Sequence, residues 1–405
     1  MANEFTNVDA EQLKHCWTQR RLSRDPLDLS GVWRYREILP FIDYRQHTPI
    51  TLREGNTPLL EAPHAATYAG LERVEFKHQG YNPTASFKDN GMTVGVTKAA
   101  ALGMKRVACV STGNTSASMA AYAAAAGMQA IIFIPHGNIA YGKLAQALEY
   151  GAVTLQIKAN FDQILSLVRQ VAERLKIYLL NSINPFRIEG QKTIAVELLD
   201  QRAWKVPDWI VVPGGNLGNI SALGKALREL RALGMIENCP RLVVVQAECS
   251  APFEELFTRG IGALKPVEKP ETLATAIRIG DPVSWPKALQ EVTDSTGVVE
   301  KVTEQEIADA KAIIGRCGIG CEPASAATLA GIRRLVEKGT ISKKEDVVAI
   351  LTGHVLKDPD FVHGYHTTGL RAPNGEFINS RFGNKPVVMP NDVEEIEAFL
   401  RQSTR

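Results

Sequence analysis

From about residue 105, short apolar β-rich runs alternate with longer stretches of helical period, the pattern of a parallel α/β sheet. Residues 106–110, 130–134, 153–157 and 178–180 read as strands, and 115–126, 141–150 and 161–175 as the helices between them, with Gly151 closing the second helix. The length and repetition of this series predict a compact α/β domain of its own. The pattern resumes with a strand over 209–212, a helix over 219–233 and a strand over 242–246. Residues 251–280 are rich in Pro and Gly and poorly periodic, and read as short helices and loops. Helices near 304–316 and 323–338 then lead to an apolar strand, 347–351, that ends in Thr352-Gly353-His354.

Outside these series the texture changes. Residues 1–60 carry Trp17, Trp33 and Tyr35 among charged residues, which suggests a segment wrapped on the larger domain. The tail after 360 holds Gly, Pro and Asn turns before an acidic helix over 392–401, expected as a peripheral cover. The expected division is 1–90 plus 186–405 as the larger domain and 91–185 as a smaller nested one. Residues 117–134 are uncharged and close to the ~20 apolar residues a bilayer requires. Their first half is Ala-rich and only weakly hydrophobic, however, and Gly127 with Gln129 breaks the run. A buried helix, a glycine stop and a core strand explain it better.

Composition narrows the function. A chain of 405 residues exceeds one ordinary core, and 45% hydrophobic with 22% charged residues is globular usage throughout. A net charge of +2 supplies no global field for nucleic acid or an anionic membrane. The first residues lack the basic region and apolar run of an export signal, so a cytoplasmic protein is expected. The six cysteines, at 16, 109, 239, 249, 317 and 321, are scattered, as reduced thiols are. Cys317 and Cys321 would lie one helical turn apart on a continuous helix, but no nearby His or second pair completes a metal site, so packing is their expected role and no metal is expected.

Five polar segments fall at strand or helix boundaries. In the first, 80–91, Lys88 stands where a turn-rich stretch becomes apolar; a lysine there is ordinarily solvated. Desolvated and rigidly aimed, it would be a nucleophile toward a carbonyl. Asn82, Thr84 and Ser86 are candidates to shape and cap its turn. The second, Ser111 to Ser118, lies at the carboxyl edge of the first sheet, where hydroxyls and free helix N–H groups hold a carboxylate, or where Asn114 or Thr115 simply caps the helix. The third, Pro213-Gly-Gly-Asn-Leu-Gly-Asn219, suits a phosphate through its N–H groups and helix dipole, and is neither a Walker loop nor a dinucleotide fingerprint. In the fourth, 181–193, Arg187 can grip phosphate bidentately. The fifth puts Thr352 beside anything bound across the sheets, and His354 more naturally caps or packs than reacts. Together, a buried-lysine candidate and a phosphate loop among strand-end polar segments point to a pyridoxal-phosphate (PLP) site.

These motifs resemble the fold-type II PLP-dependent enzymes, and within them the threonine synthase family, over residues 30 to 358. Ser86-Phe87-Lys88-Asp89 is similar to the family's PLP-lysine motif, and 31–36 with 54–59 to its amino-terminal hallmark. The resemblance implies a two-domain α/β fold like the tryptophan synthase β subunit, with parallel-containing sheets flanked by helices and PLP in the interdomain cleft. It implies Lys88 as the catalytic Schiff-base lysine, Asn114 at the PLP ring hydroxyl and Thr352 at the pyridine nitrogen. Gly214, Gly215, Asn216, Leu217, Gly218 and Asn219 would hold the cofactor phosphate. Ser111, Thr112 and Thr115 would hold the substrate carboxylate, and Asn181, Ser182 and Arg187 the phosphate of O-phosphohomoserine. The implied reaction yields L-threonine and phosphate, in threonine biosynthesis, and the implied assembly is a homodimer. A cysteate synthase or a serine/threonine dehydratase of the same fold stays open, and a non-catalytic PLP- or amino-acid-binding protein is disfavoured by Lys88 together with the phosphate loop. One departure is Ala85, where many relatives carry glycine, expected to be tolerated if its φ is negative.

Overall fold

The chain folds around two sheets whose strands carry the apolar runs of the sequence. The computed structural model describes residues 9–44, 46–137, 141–159, 161–260 and 262–403. Its strands are β1 (Leu59–Glu61), β2 (Val74–His78), β3 (Arg106–Val110), β4 (Gln129–Pro135), β5 (Val153–Ile157), β6 (Tyr178–Leu179), β7 (Trp209–Pro213), β8 (Arg241–Ala247), β9 (Val298–Val302), β10 (Val347–Leu351), β11 (Leu370–Arg371) and β12 (Phe377–Ile378). One sheet has the order β5-β4-β3-β6 and is parallel throughout. The other runs β1-β2-β10-β7-β8-β9, parallel except where β1 meets β2. Strands β11 and β12 form a separate antiparallel pair.

The larger sheet is covered on both faces, which is why β7 and β10 are continuous apolar runs rather than alternating ones. Successive side chains leave a strand on opposite faces. Ile210, Val212, Val348 and Ile350 accordingly join one core, with residues of the helices Pro185–Gln201 and Gly218–Ala232. Trp209, Val211, Val347, Ala349 and Leu351 join the other, against the helices Glu304–Arg316 and Pro323–Glu337. The amino-terminal segment does more than wrap. Trp17, Trp33 and Tyr35 are buried in the first of these cores, and the Trp17 ring meets Tyr35 edge-on at 5.1 Å.

Several expectations shift. Residues 117–134 do divide into the end of a helix (Asn114–Ala125), a left-handed Gly127 and the strand β4; no described helix is long and apolar enough to cross a membrane. The helix at 114 starts one residue earlier than its pattern suggests. Its N-cap is Gly113 and no side chain caps it, so neither Asn114 nor Thr115 does so. Cys317 is the C-cap of the helix Glu304–Arg316, and left-handed Gly318 and Gly320 turn the chain before Cys321. The two cysteines therefore do not stack along a helix, and both pack against the core of the larger sheet.

Candidate active site

Lys88 is the first residue of the helix Lys88–Ala101, and the turn before it is built by its neighbour. The buried Asp89 carboxylate accepts hydrogen bonds from the Thr84 backbone N–H at 2.7 Å, the Thr84 hydroxyl at 2.6 Å and the Ser118 hydroxyl. Burial nevertheless raises Asp89 to about 6. The Phe87 N–H donates to Thr352 O at 2.9 Å and the His354 N–H to Ala85 O at 3.1 Å, while Ser86 bridges to Gly353. This short pairing binds the lysine turn to the end of β10. It also holds Ala85 at φ +63°, so the expectation of a negative φ is overturned. The pairing on both sides fixes a backbone that would otherwise favour glycine. Ser86, expected as a cap, leaves its buried hydroxyl without a partner, and Phe87 is the N-cap.

The Lys88 side chain is half-buried, and its ammonium lies 4.1 Å from the centre of the Phe87 ring. Burial, and then the like charge of Arg187, lower it to about 7, against the opposing pull of Glu322. A lysine so placed is a free amine in good part at neutral pH.

At the end of β3, the Ser111 hydroxyl accepts from the Gly113 N–H at 3.2 Å, and Ser111, Thr112 and Thr115 are half-exposed. Asn114 is buried; its amide donates to Glu322 Oε2 at 3.0 Å and its Oδ1 has no partner. Just past β10, Thr352 Oγ1 donates to Glu322 Oε1 at 3.1 Å and lies 3.0 Å from Ser325 Oγ. Glu322, 1% exposed, thus links the two residues expected at the ring of the cofactor. Neither Glu322 nor Ser325 was expected. The available signal was a glutamate before Pro323, where a helix start ordinarily takes Ser, Thr, Asp or Asn.

The glycine turn follows β7. Leu217 is left-handed at φ +63° and precedes the helix Gly218–Ala232, whose first turn has no side-chain cap. A Cβ on Gly214 would stand 2.5 Å from Val244 Cγ1, and one on Gly215 3.0 Å from Ala276 O. The Gly214 N–H is already given to Val245 O at 2.7 Å, so Gly214 contributes clearance rather than a donor. Asn216 accepts from the Ser284 N–H through its carbonyl, and the Asn219 amide is buried with both polar atoms unpartnered.

Arg187 is 1% exposed on the helix Pro185–Gln201. One Nη donates to Leu180 O at 2.9 Å, Nε has no partner, and burial lowers the guanidinium to about 10. Asn181 is engaged with the Val110 backbone, at 3.4 Å through its oxygen and 3.3 Å through its nitrogen, while Ser182 beside it is half-exposed. His354 accepts from the Leu356 N–H at 3.3 Å, a capping role as expected.

The model of the pyridoxal-phosphate-dependent enzymes matches residues 50–353 of this chain. A threonine synthase of Methanosarcina acetivorans is 52% identical over 82% of the chain and 81% of its own length. One of Methanocaldococcus jannaschii is 48% identical over 87% and 86%. The chain belongs to the threonine synthase family of PLP-dependent enzymes. The fold is similar to that of an L-serine ammonia-lyase from Rhizomucor miehei, with a TM-score of 0.65 at 23% identity over 76% of this chain and 95% of that one. For a member of this family the side chains fit the cofactor: an amine near neutrality, an uncapped helix start behind a glycine turn, and buried polar atoms on Ser86, Asn114 and Asn219 without partners.

Proposed function

We propose that this enzyme converts O-phospho-L-homoserine and water to L-threonine and phosphate, as a PLP-dependent lyase. The observation that carries the reading is Arg187, a buried guanidinium with no ion-pair partner among the described residues, close enough to Lys88 to lower its pKa. A buried cation with no carboxylate on it is costly unless an anion arrives. A substrate with its own phosphate needs a second anion site besides the glycine turn, whereas a dehydratase substrate has no phosphate to place there. The names and identities of the relatives support the same reaction.

In this reading the cleft lies between a domain of residues 1–90 plus 186–405 and a nested domain of 91–185. When bound, PLP supplies an electron sink that weakens the bonds at the substrate Cα. The first N–H groups of the helix at Gly218, with residues 214–219 around them, hold the cofactor phosphate. Asn114 and Thr352 meet its ring, and Glu322 keeps both in place. Ser111, Thr112 and Thr115 take the substrate carboxylate at the uncapped start of the helix Asn114–Ala125. Arg187 and Ser182 hold the substrate phosphate, with Asn181 fixing the end of β3 beside them. Lys88, freed as an amine, removes the Cα proton; a Cβ proton is then lost as phosphate leaves Cγ, Cγ takes up a proton to become the methyl group, water adds at Cβ, and Lys88 returns a proton to Cα. Its pKa near neutrality suits both transfers.

Purified holoenzyme should release phosphate from O-phosphohomoserine far faster than from O-phosphoserine, and Lys88→Ala should lose both this release and the cofactor absorption near the visible edge. Preference for O-phosphoserine with sulfite would favour a cysteate synthase instead. A retained absorption band in Lys88→Ala would remove Lys88 from its role.

A further inference from the structure

Between the helix Glu304–Arg316 and the chain after β10 lies a second cavity, of about 520 Å³, none of whose walls belongs to the site around Lys88. Its volume is in the range of small-molecule sites. Lys311, Arg316 and His366 line it together with the rings of Phe361, Tyr365 and Phe382. Lys311 is only 7% exposed and has no hydrogen-bond or ion-pair partner among the described residues; its ammonium lies 5.7 Å from the centre of the Phe361 ring. Asp358 and Cys321 act on it from a distance and favour its charge, but burial outweighs them. Arg316, at the exposed lip, donates to Phe382 O at 3.2 Å and stacks 5.2 Å from that ring. His366 accepts from the Asn384 N–H at 3.0 Å, and after burial it is the charges of Lys311 and Arg316 that hold its pKa down. Three basic groups therefore face one space, and the charges of Lys311 and Arg316 both bear on His366.

A buried ammonium is retained at such a place only at a cost, and an anion entering the space would remove that cost. The aromatic wall offers apolar contact to the body of the same molecule. The cavity also abuts the active-site framework. Its wall residue Gly320 accepts through its carbonyl from the His78 Nε2–H at 2.7 Å, and two residues on stands Glu322. The Glu322 N–H donates to Gly353 O at 3.0 Å, and a second wall residue, Val355, follows that glycine by two positions.

We propose that this cavity is an effector site for a small anion bearing a carboxylate or phosphate group, read by Lys311, Arg316 and His366, and coupled to the active site through residues 320–322. Citrate and inorganic phosphate, titrated separately into holoenzyme by calorimetry, are the probes. At least one should bind at a site distinct from the one that Arg187→Ala removes. Lys311→Met should weaken that binding about ten- to a hundredfold, the loss of one charge-assisted hydrogen bond. Arg316→Gln, at an exposed position, should weaken it in the same direction and decides the matter if Lys311→Met fails to fold. Tighter citrate binding would identify a carboxylate ligand and tighter phosphate binding a phosphate ester. Saturating the tighter probe should change the KM or kcat of the holoenzyme, and this change should vanish in Arg316→Gln. Binding that is untouched by both substitutions, or lost only in Arg187→Ala, overturns the site; binding without any kinetic change overturns the coupling.

Discussion

At the scale of single residues, the chemistry turns on how one amine is kept from its usual protonation. Lys88 is lowered to about 7 by burial first and by Arg187 second. Below that value the ammonium dominates and cannot attack a carbonyl; above it the free amine does. The rate at which apoprotein takes up PLP should therefore rise with pH through a midpoint near 7, followed by cofactor absorbance. In Arg187→Ala the like charge is gone, the ammonium is favoured and the midpoint should move upward; an unmoved midpoint would separate the two side chains. Ala85 offers a test of backbone strain. A left-handed alanine costs about 1–2 kcal/mol, and glycine gives back roughly 0.5–1 kcal/mol through its greater freedom when unfolded. Ala85→Gly should thus stabilise the protein by about 0.5–1 kcal/mol in urea unfolding, and a destabilised variant would mean that the methyl group packs usefully. Lys88 and Arg187 are visible in the sequence as candidates because their residue types stand out in polar segments at helix starts. The φ of Ala85 is not, since it is imposed by pairing with residues more than 260 positions away.

Elements decide which of those residues meet. The smaller sheet is legible because β3, β4, β5 and β6 follow one another with a helix between each pair, so local pattern and topology coincide. The larger sheet is less so. β2 alternates Glu75 and Lys77 with apolar residues and resembles a half-exposed strand, yet all five of its residues are buried. Lys77 is paired there with Glu197, and its strand neighbour β10 is brought in from the far end of the chain. The start of the helix Pro323–Glu337 is the other hidden element, because Glu322 becomes meaningful only when β10 carries Thr352 and the helix Asn114–Ala125 carries Asn114 to it. Its carboxylate also favours the charged form of Lys88. Glu322→Gln preserves size and can keep both hydrogen bonds if the Asn114 amide turns to accept through its unpartnered oxygen. The fold should therefore survive. The uptake midpoint of Lys88 should fall below 7, opposite to the shift of Arg187→Ala, and the cofactor spectrum should change with it; an unchanged midpoint and spectrum would leave Glu322 a helix-start residue only.

Across the whole molecule, the proposed cofactor contacts come from two separately built sheets. Lys88 and Asn114 stand on helices packed around the smaller sheet, while the glycine turn and Thr352 stand at the ends of β7 and β10 in the larger one. The lysine turn already crosses to β10 through Phe87, Ala85 and Ser86, so part of the junction exists in the chain itself. The uncapped helix starts at Asn114 and Gly218 do not share that support. A ligand that binds only the folded state stabilises it in proportion to its affinity, by about 2.7 kcal/mol at a hundredfold excess over Kd. Removing PLP should accordingly lower the melting temperature. It should also raise amide hydrogen exchange at both helix starts, one in each sheet's layer, while the Phe87 and His354 amides that close the lysine turn change least. Faster exchange at Gly218 alone would place the cofactor on the larger sheet only, and would remove Asn114 from the contacts that the site requires.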